Sequence, residues 1–115
     1  MVEDKGKGLP EGATEKIQEL QLLQQRLSLF TAQKQQLQLQ LAEAENALTE
    51  ISNAKEPVYK LIGEILVEKS IAEIKKDLQE RKEEFDLRIK TLEKQESKSR
   101  ERAQQLQKEV TEALK

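Results

Sequence analysis

The sequence predicts an all-α chain of coiled-coil type: a long antiparallel helical hairpin whose two helices are joined by a short β-hairpin. Three observations carry this reading. Apolar residues recur every three and four positions along two long, charged segments that lack internal Gly and Pro. Between them lies Val58–Lys69, the only stretch rich in β-branched and large apolar residues. The composition is 37% charged and 3% aromatic over 115 residues, which allows one domain at most and no thick globular core.

Residues 1–12 hold Gly6, Gly8, Gly12 and Pro10 among charges and read as a flexible tail. The single folded domain is expected over 13–115. Thr14 is a candidate N-cap for the first helix, with Glu15 suited to the positive end of the helix dipole. That helix is predicted over 13–53. One seam column is Ala13, Leu20, Leu27, Lys34, Leu41 and Leu48; the other is Lys16, Leu23, Phe30, Leu37, Ala44 and Ile51. Ten of these twelve are apolar, which argues for a coiled coil rather than a surface helix. Lys34 reads as a register device whose ammonium can reach Glu93. Ser52 and Asn53 end the helix, and Pro57 prevents its continuation.

Val58–Ile62 and Ile65–Lys69 read as two strands, with Gly63 supplying the positive φ of a tight turn. All of Ile65, Leu66 and Val67 are apolar, so alternation alone does not say which face is inward. An isolated two-stranded hairpin is marginal in water, and an unpaired apolar edge is an aggregation site. The hairpin is therefore expected to pair with strands of other chains.

The second helix is predicted over 70–114. One column is Ile71, Leu78, Phe85, Leu92, Ser99, Leu106 and Ala113; the other is Lys75, Lys82, Ile89, Glu96, Ala103 and Val110. The seam is thinner here and weakest over Gln95–Arg102. Folded back antiparallel, Leu48 would meet Ile74 and Leu78, Leu41 would meet Lys82 and Phe85, and Phe30 would meet Leu92. Leu20 would meet Ala103 and Leu106, with Gln24–Ser28 against the polar patch.

The chain has no His and no Cys, so the commonest metal ligands, the usual general base and the thiol nucleophile are absent. Gly63 stands alone, without a phosphate-cradling loop. Carboxylates sit at helix-surface spacing among Lys and Arg. Neither an enzyme nor a cofactor is expected. Net charge is −2 with signs interspersed, which argues against nucleic acid or membrane as partner. The N-terminus shows no apolar signal core, and a cytoplasmic location is expected.

With the hairpin in view, the sequence resembles the prefoldin family. Val58-Tyr59-Lys60-Leu61-Ile62-Gly63 followed by Leu66-Val67 looks like that family's Tyr-Lys-x-x-Gly-x-x-Leu-Val hairpin signature. Gln95-Glu96 matches a pair in the family's second helix, and a single hairpin fits the β type, most closely that of archaea. The resemblance implies a hetero-hexamer of α-type and β-type subunits whose hairpins join into a β-barrel platform. It also implies capture of unfolded polypeptides at the coiled-coil tips without ATP, and delivery to a group II chaperonin. The assembly residues would be Val58, Tyr59, Leu61, Ile62, Gly63, Ile65, Leu66 and Val67. Leu22 and Leu29 lie seven apart and off the seam, in the outer part of helix 1, where exposed apolar residues are expected to be confined. With Ile17, Leu20 and Leu23 of helix 1 and Leu106, Val110 and Leu114 of helix 2, they form the expected client-binding tip, which the polar patch is expected to loosen. The competing class is a structural or tethering coiled coil without client binding, which would need no strand pairing.

Overall fold

A computed structural model describes residues 12–115. The order is α1 (Ala13–Asn53), β1 (Val58–Ile62), β2 (Ile65–Lys69) and α2 (Ile71–Ala113). The expected tail over 1–12 lies outside the described residues except for Gly12. Two compact units are present. Unit 1 comprises residues 12–33 with Leu92–Lys115, and unit 2 is Lys34–Thr91, which includes the hairpin.

In unit 1 the helices run antiparallel: Lys16 pairs with Glu109, Glu19 with Arg102, and Thr31 with Glu96. In unit 2, Ala47 and Ile51 share a recess with Ile74 and Leu78. The buried side chains are Ala13, Leu23, Glu96, Ser99, Leu106 and Val110 in unit 1 and Ala44, Ile51 and Ile89 in unit 2. Every one belongs to the four heptad columns, including the two polar members. One column slips beside the hairpin: Lys75 is exposed and Ile74, half-buried, takes its place. The aliphatic side chain loses water contact there while the ammonium keeps its own.

Helix α1 begins at Ala13, as expected, but its cap is not the expected one. The Gly12 carbonyl accepts from the Lys16 amide at 3.1 Å, so Gly12 is the cap and Thr14 lies in the first turn. Gly12 has φ +83°, a conformation in which Thr would be strained. Asn53 ends the helix as expected, and a cis Glu56–Pro57 bond leads into β1.

The hairpin pairs Val58 with Lys69, Lys60 with Val67 and Ile62 with Ile65 on one face, and Tyr59 with Glu68 and Leu61 with Leu66 on the other. Of the two turn residues only Gly63 has positive φ, +60°, which is the φ pattern of a type II′ turn. Helix α2 starts at a double cap. The Ser70 hydroxyl accepts from the Glu73 amide at 3.1 Å, and the Glu56 carboxylate accepts from the Ile71 amide at 3.2 Å. Two of the four amides that a helix start leaves without partners are thus satisfied, one of them by a charge that suits the dipole.

Ser70→Ala removes one of these acceptors. It should lower stability by about 1 kcal/mol, read as a lower urea midpoint with unchanged slope.

Candidate assembly and client-binding surfaces

The hairpin is apolar and open. Tyr59, Leu61, Ile62, Ile65 and Leu66 are all exposed, the last two at 67%, while Val58 and Val67 are half-buried and Gly63 sits exposed at the turn. Exposure does not divide the hairpin cleanly by face. Val58, Lys60, Val67 and Lys69 are half-buried, but Ile62 and Ile65 on the same face are exposed, as are Tyr59, Leu61, Leu66 and Glu68 on the other. Lys60 Nζ lies 3.4 Å from Asp77 Oδ2 and ties β1 to α2. The sheet has two strands, so each has one edge without a strand neighbour. Five large apolar side chains in ten residues, beside two such edges, form a surface suited to other strands.

The eight expected tip residues all fall in unit 1, but in three states. Leu22, Leu29 and Leu114 are exposed, at 63%, 62% and 53%. Ile17 and Leu20 are half-buried. Leu23, Leu106 and Val110 are core, with Leu106 fully buried. The expected loosening by the polar patch is not seen. Glu96 and Ser99 are themselves buried, the Thr31 hydroxyl lies 3.4 Å from Glu96 Oε2, and Arg100 Nη1 lies 3.8 Å from Glu96 Oε1. Among the described residues no buried side-chain polar atom lacks a partner. A satisfied polar cluster closes a seam, whereas an unsatisfied one would open it.

One flank of unit 1 is held by charge. Arg102 makes two hydrogen bonds to Glu19, of 3.0 and 3.1 Å, and Lys16 lies 3.6 Å from Glu109, which also accepts from Gln105 at 3.2 Å. The Arg102 hydrogen bonds lower the Glu19 carboxyl below its ordinary 4.5, and Glu19 in turn raises Arg102. Glu109 is lowered by the Gln105 hydrogen bond first and by the Lys16 and Arg102 charges next.

Two apolar residues missed in the sequence are also exposed, Leu39 at 56% and Leu87 at 67%. Exposed apolar residues are therefore not confined to the outer part of α1. Both lie off the seam columns, so the test that singled out Leu22 and Leu29 would have found them if applied along both helices. Among the described residues no cluster of carboxylates could hold a metal ion, and no helix is long and apolar enough to cross a membrane.

The Prefoldin subunit family matches residues 14–115. The chain is 38% identical over 108 residues to the prefoldin subunit beta of Archaeoglobus fulgidus, covering 92% of this chain and 93% of that one. It is 36% identical to the prefoldin subunit beta of Methanothrix thermoacetophila, with 92% and 90% covered. The crystal structure of the prefoldin beta subunit from Thermococcus strain KS-1 superposes with a TM-score of 0.87 at 33% identity, covering 93% of this chain and 96% of that one. Two long helices joined by a β-hairpin, together with the family match, thus define a coiled-coil chaperone subunit. The chain belongs to the prefoldin family, as a subunit of the beta type.

The lowered carboxyls contribute to the acid response of unit 1. A depressed folded-state value contributes stability that is complete above the ordinary value of 4.5 and is lost as pH falls through the lowered one. The wild-type thermal midpoint should therefore drop between pH 5 and pH 3. Arg102→Gln should flatten part of that drop, measured by circular dichroism at the two pH values.

Proposed function

We propose that the chain is the beta subunit of a cytoplasmic hetero-hexameric chaperone, assembled with α-type subunits and further beta subunits through the hairpin. The hairpins pair edge to edge into a shared β-barrel platform. Unit 1 binds unfolded polypeptides without ATP, prevents their aggregation and hands them to a group II chaperonin. The observation that carries this reading is the hairpin, with five exposed large apolar side chains beside open strand edges. A tethering rod has no use for such a surface, which leaves it an aggregation hazard unless other strands cover it. Capture rests on Leu22, Leu29 and Leu114, which are exposed without any opening of the seam. One Leu buried against a client contributes roughly 1.5–3 kcal/mol at most, so a single subunit binds weakly and several on one platform bind by avidity.

Leu66 is exposed in the protomer and would be buried in the platform, so Leu66→Asp separates folding from assembly. The variant should keep its helicity and fail to form a hexamer with an α-type subunit. Analytical ultracentrifugation of the mixture reads this, and an intact hexamer would remove the platform.

Leu22→Ser with Leu29→Ser should weaken suppression of aggregation of a denatured protein while the hexamer persists. Glu96→Leu with Ser99→Leu makes the seam wholly apolar and should leave suppression near wild type, because the capture surface does not need the seam to open. Light scattering during refolding tests both pairs. Full protection by the first pair would exclude Leu22 and Leu29 as the surface, and loss of protection in the second would show that opening is required.

A further inference from the structure

The two flanks of unit 1 are unlike. Arg100 and Arg102 project about 200° apart around α2. Arg102 faces the flank closed by Glu19, while Arg100 faces an open groove of about 490 Å³. Leu20 and Ala103 supply the apolar part of the groove, and the α1 wall adds only the uncharged Gln24. The opposite wall carries Arg100 and Lys108 of α2, and Lys115 just beyond it, against one acidic side chain, Glu112, in a chain whose net charge is −2. Lys108 makes no ion pair among the described residues, and the Arg100 side chain is 56% exposed beyond its loose contact with Glu96. A cationic wall over an apolar floor selects for sign, because like charge brought against it is repelled and opposite charge is steered to it.

We propose that this groove takes client segments in which a large apolar side chain is flanked on both sides by carboxylates. The inference rests on unit 1 being the capture surface and adds the chemistry of what it captures. Arg100 and Lys108 are eight residues apart on α2, or about 12 Å along its axis. An extended peptide rises about 3.3 Å per residue, so carboxylates four residues apart reach both cations. The central side chain of such a segment then falls over Ala103 and Leu20. The preferred pattern is Glu-x-Leu-x-Glu, with the leucine on the floor and a carboxylate at each cation.

Short fluorescein-labelled peptides test this on the full-length chain by anisotropy, with Glu-Ser-Leu-Ser-Glu, Lys-Ser-Leu-Ser-Lys and Glu-Ser-Ser-Ser-Glu as cores. The first should bind about fivefold tighter than the second at low ionic strength, the yield of two exposed ion pairs. The preference should vanish at 1 M salt, where screening acts over about 3 Å. The peptide without leucine should bind more weakly than the first. Arg100→Gln with Lys108→Gln should abolish the preference. Gln104→Glu with Gln107→Glu, which leaves both cations in place, should also abolish or reverse it. Equal binding of the Glu and Lys peptides by wild type, or a preference that survives loss of both cations, overturns the groove. If that happens while the chain still suppresses aggregation, only the groove falls; if suppression is absent as well, the reading of unit 1 as a capture surface falls with it.

Discussion

A two-stranded sheet cannot satisfy its own edges, and the architecture of this chain depends on that constraint. The hairpin places five large apolar side chains in water and leaves one edge of each strand without a strand neighbour. Nothing else in unit 2 covers them. The local chemistry nevertheless defines the hairpin sharply. Pro57 bars the helix from continuing, Gly63 supplies the one positive φ of the turn, and Ser70 with Glu56 caps the helix that follows. Boundaries this well specified around a surface this poorly covered are what the proposed pairing with other chains requires. The exposed edge and the Tyr-Lys-x-x-Gly-x-x-Leu-Val pattern thus describe one feature, seen once in strand physics and once in family resemblance.

The seam shows how polar residues can sit in a coiled coil without opening it. Glu96 and Ser99 occupy seam columns and are buried, yet the unit that contains them also buries Ala13, Leu23, Leu106 and Val110. The Arg100 guanidinium lies 3.8 Å from the carboxylate, and the single proton of the Thr31 hydroxyl can go either to it, at 3.4 Å, or to the Leu27 carbonyl, at 3.0 Å. An apolar pair in the same place would bury as well but would tolerate neighbouring registers. A buried carboxylate with specific partners penalises every register that removes them. Exposure in unit 1 is therefore left to residues off the seam.

Most of the fold was legible because heptad periodicity depends on side-chain type alone. Every buried residue among those described lies in a column read from spacing, and both strands and their turn fall where β-branched residues and Gly63 put them. What was not legible depends on three-dimensional neighbours. Gly12 displaces Thr14 as the cap because of its backbone conformation, and Glu56 reaches Ile71 across fifteen residues of sequence. The slip from Lys75 to Ile74 follows from side-chain solvation beside the hairpin. The polar patch read as a weakness because spacing shows which residues enter the seam and not whether Thr31 and Arg100 will be there to meet them. The exposure of the hairpin's apolar residues was legible as a group, while that of the residues expected at the tip was legible only in part. Leu22 and Leu29 stand out by being off the seam, but Leu23, Leu106 and Val110 are apolar for the seam's own sake.

The flanks of unit 1 separate two tasks that could easily conflict. A surface that captures unfolded chains must stay apolar and accessible, while the helices that present it must stay together. The Glu19–Arg102 and Lys16–Glu109 bridges hold one flank with charge, which adds no apolar area. Leu22 and Leu29 on α1 and the Leu20–Ala103 groove offer apolar area where no cross-helix bridge covers it. Charges around an apolar site also limit self-association, since two copies of one cationic wall repel each other whereas an acidic client does not. On the proposed reading, capture without self-capture follows from the placement of a few side chains on a single coiled coil.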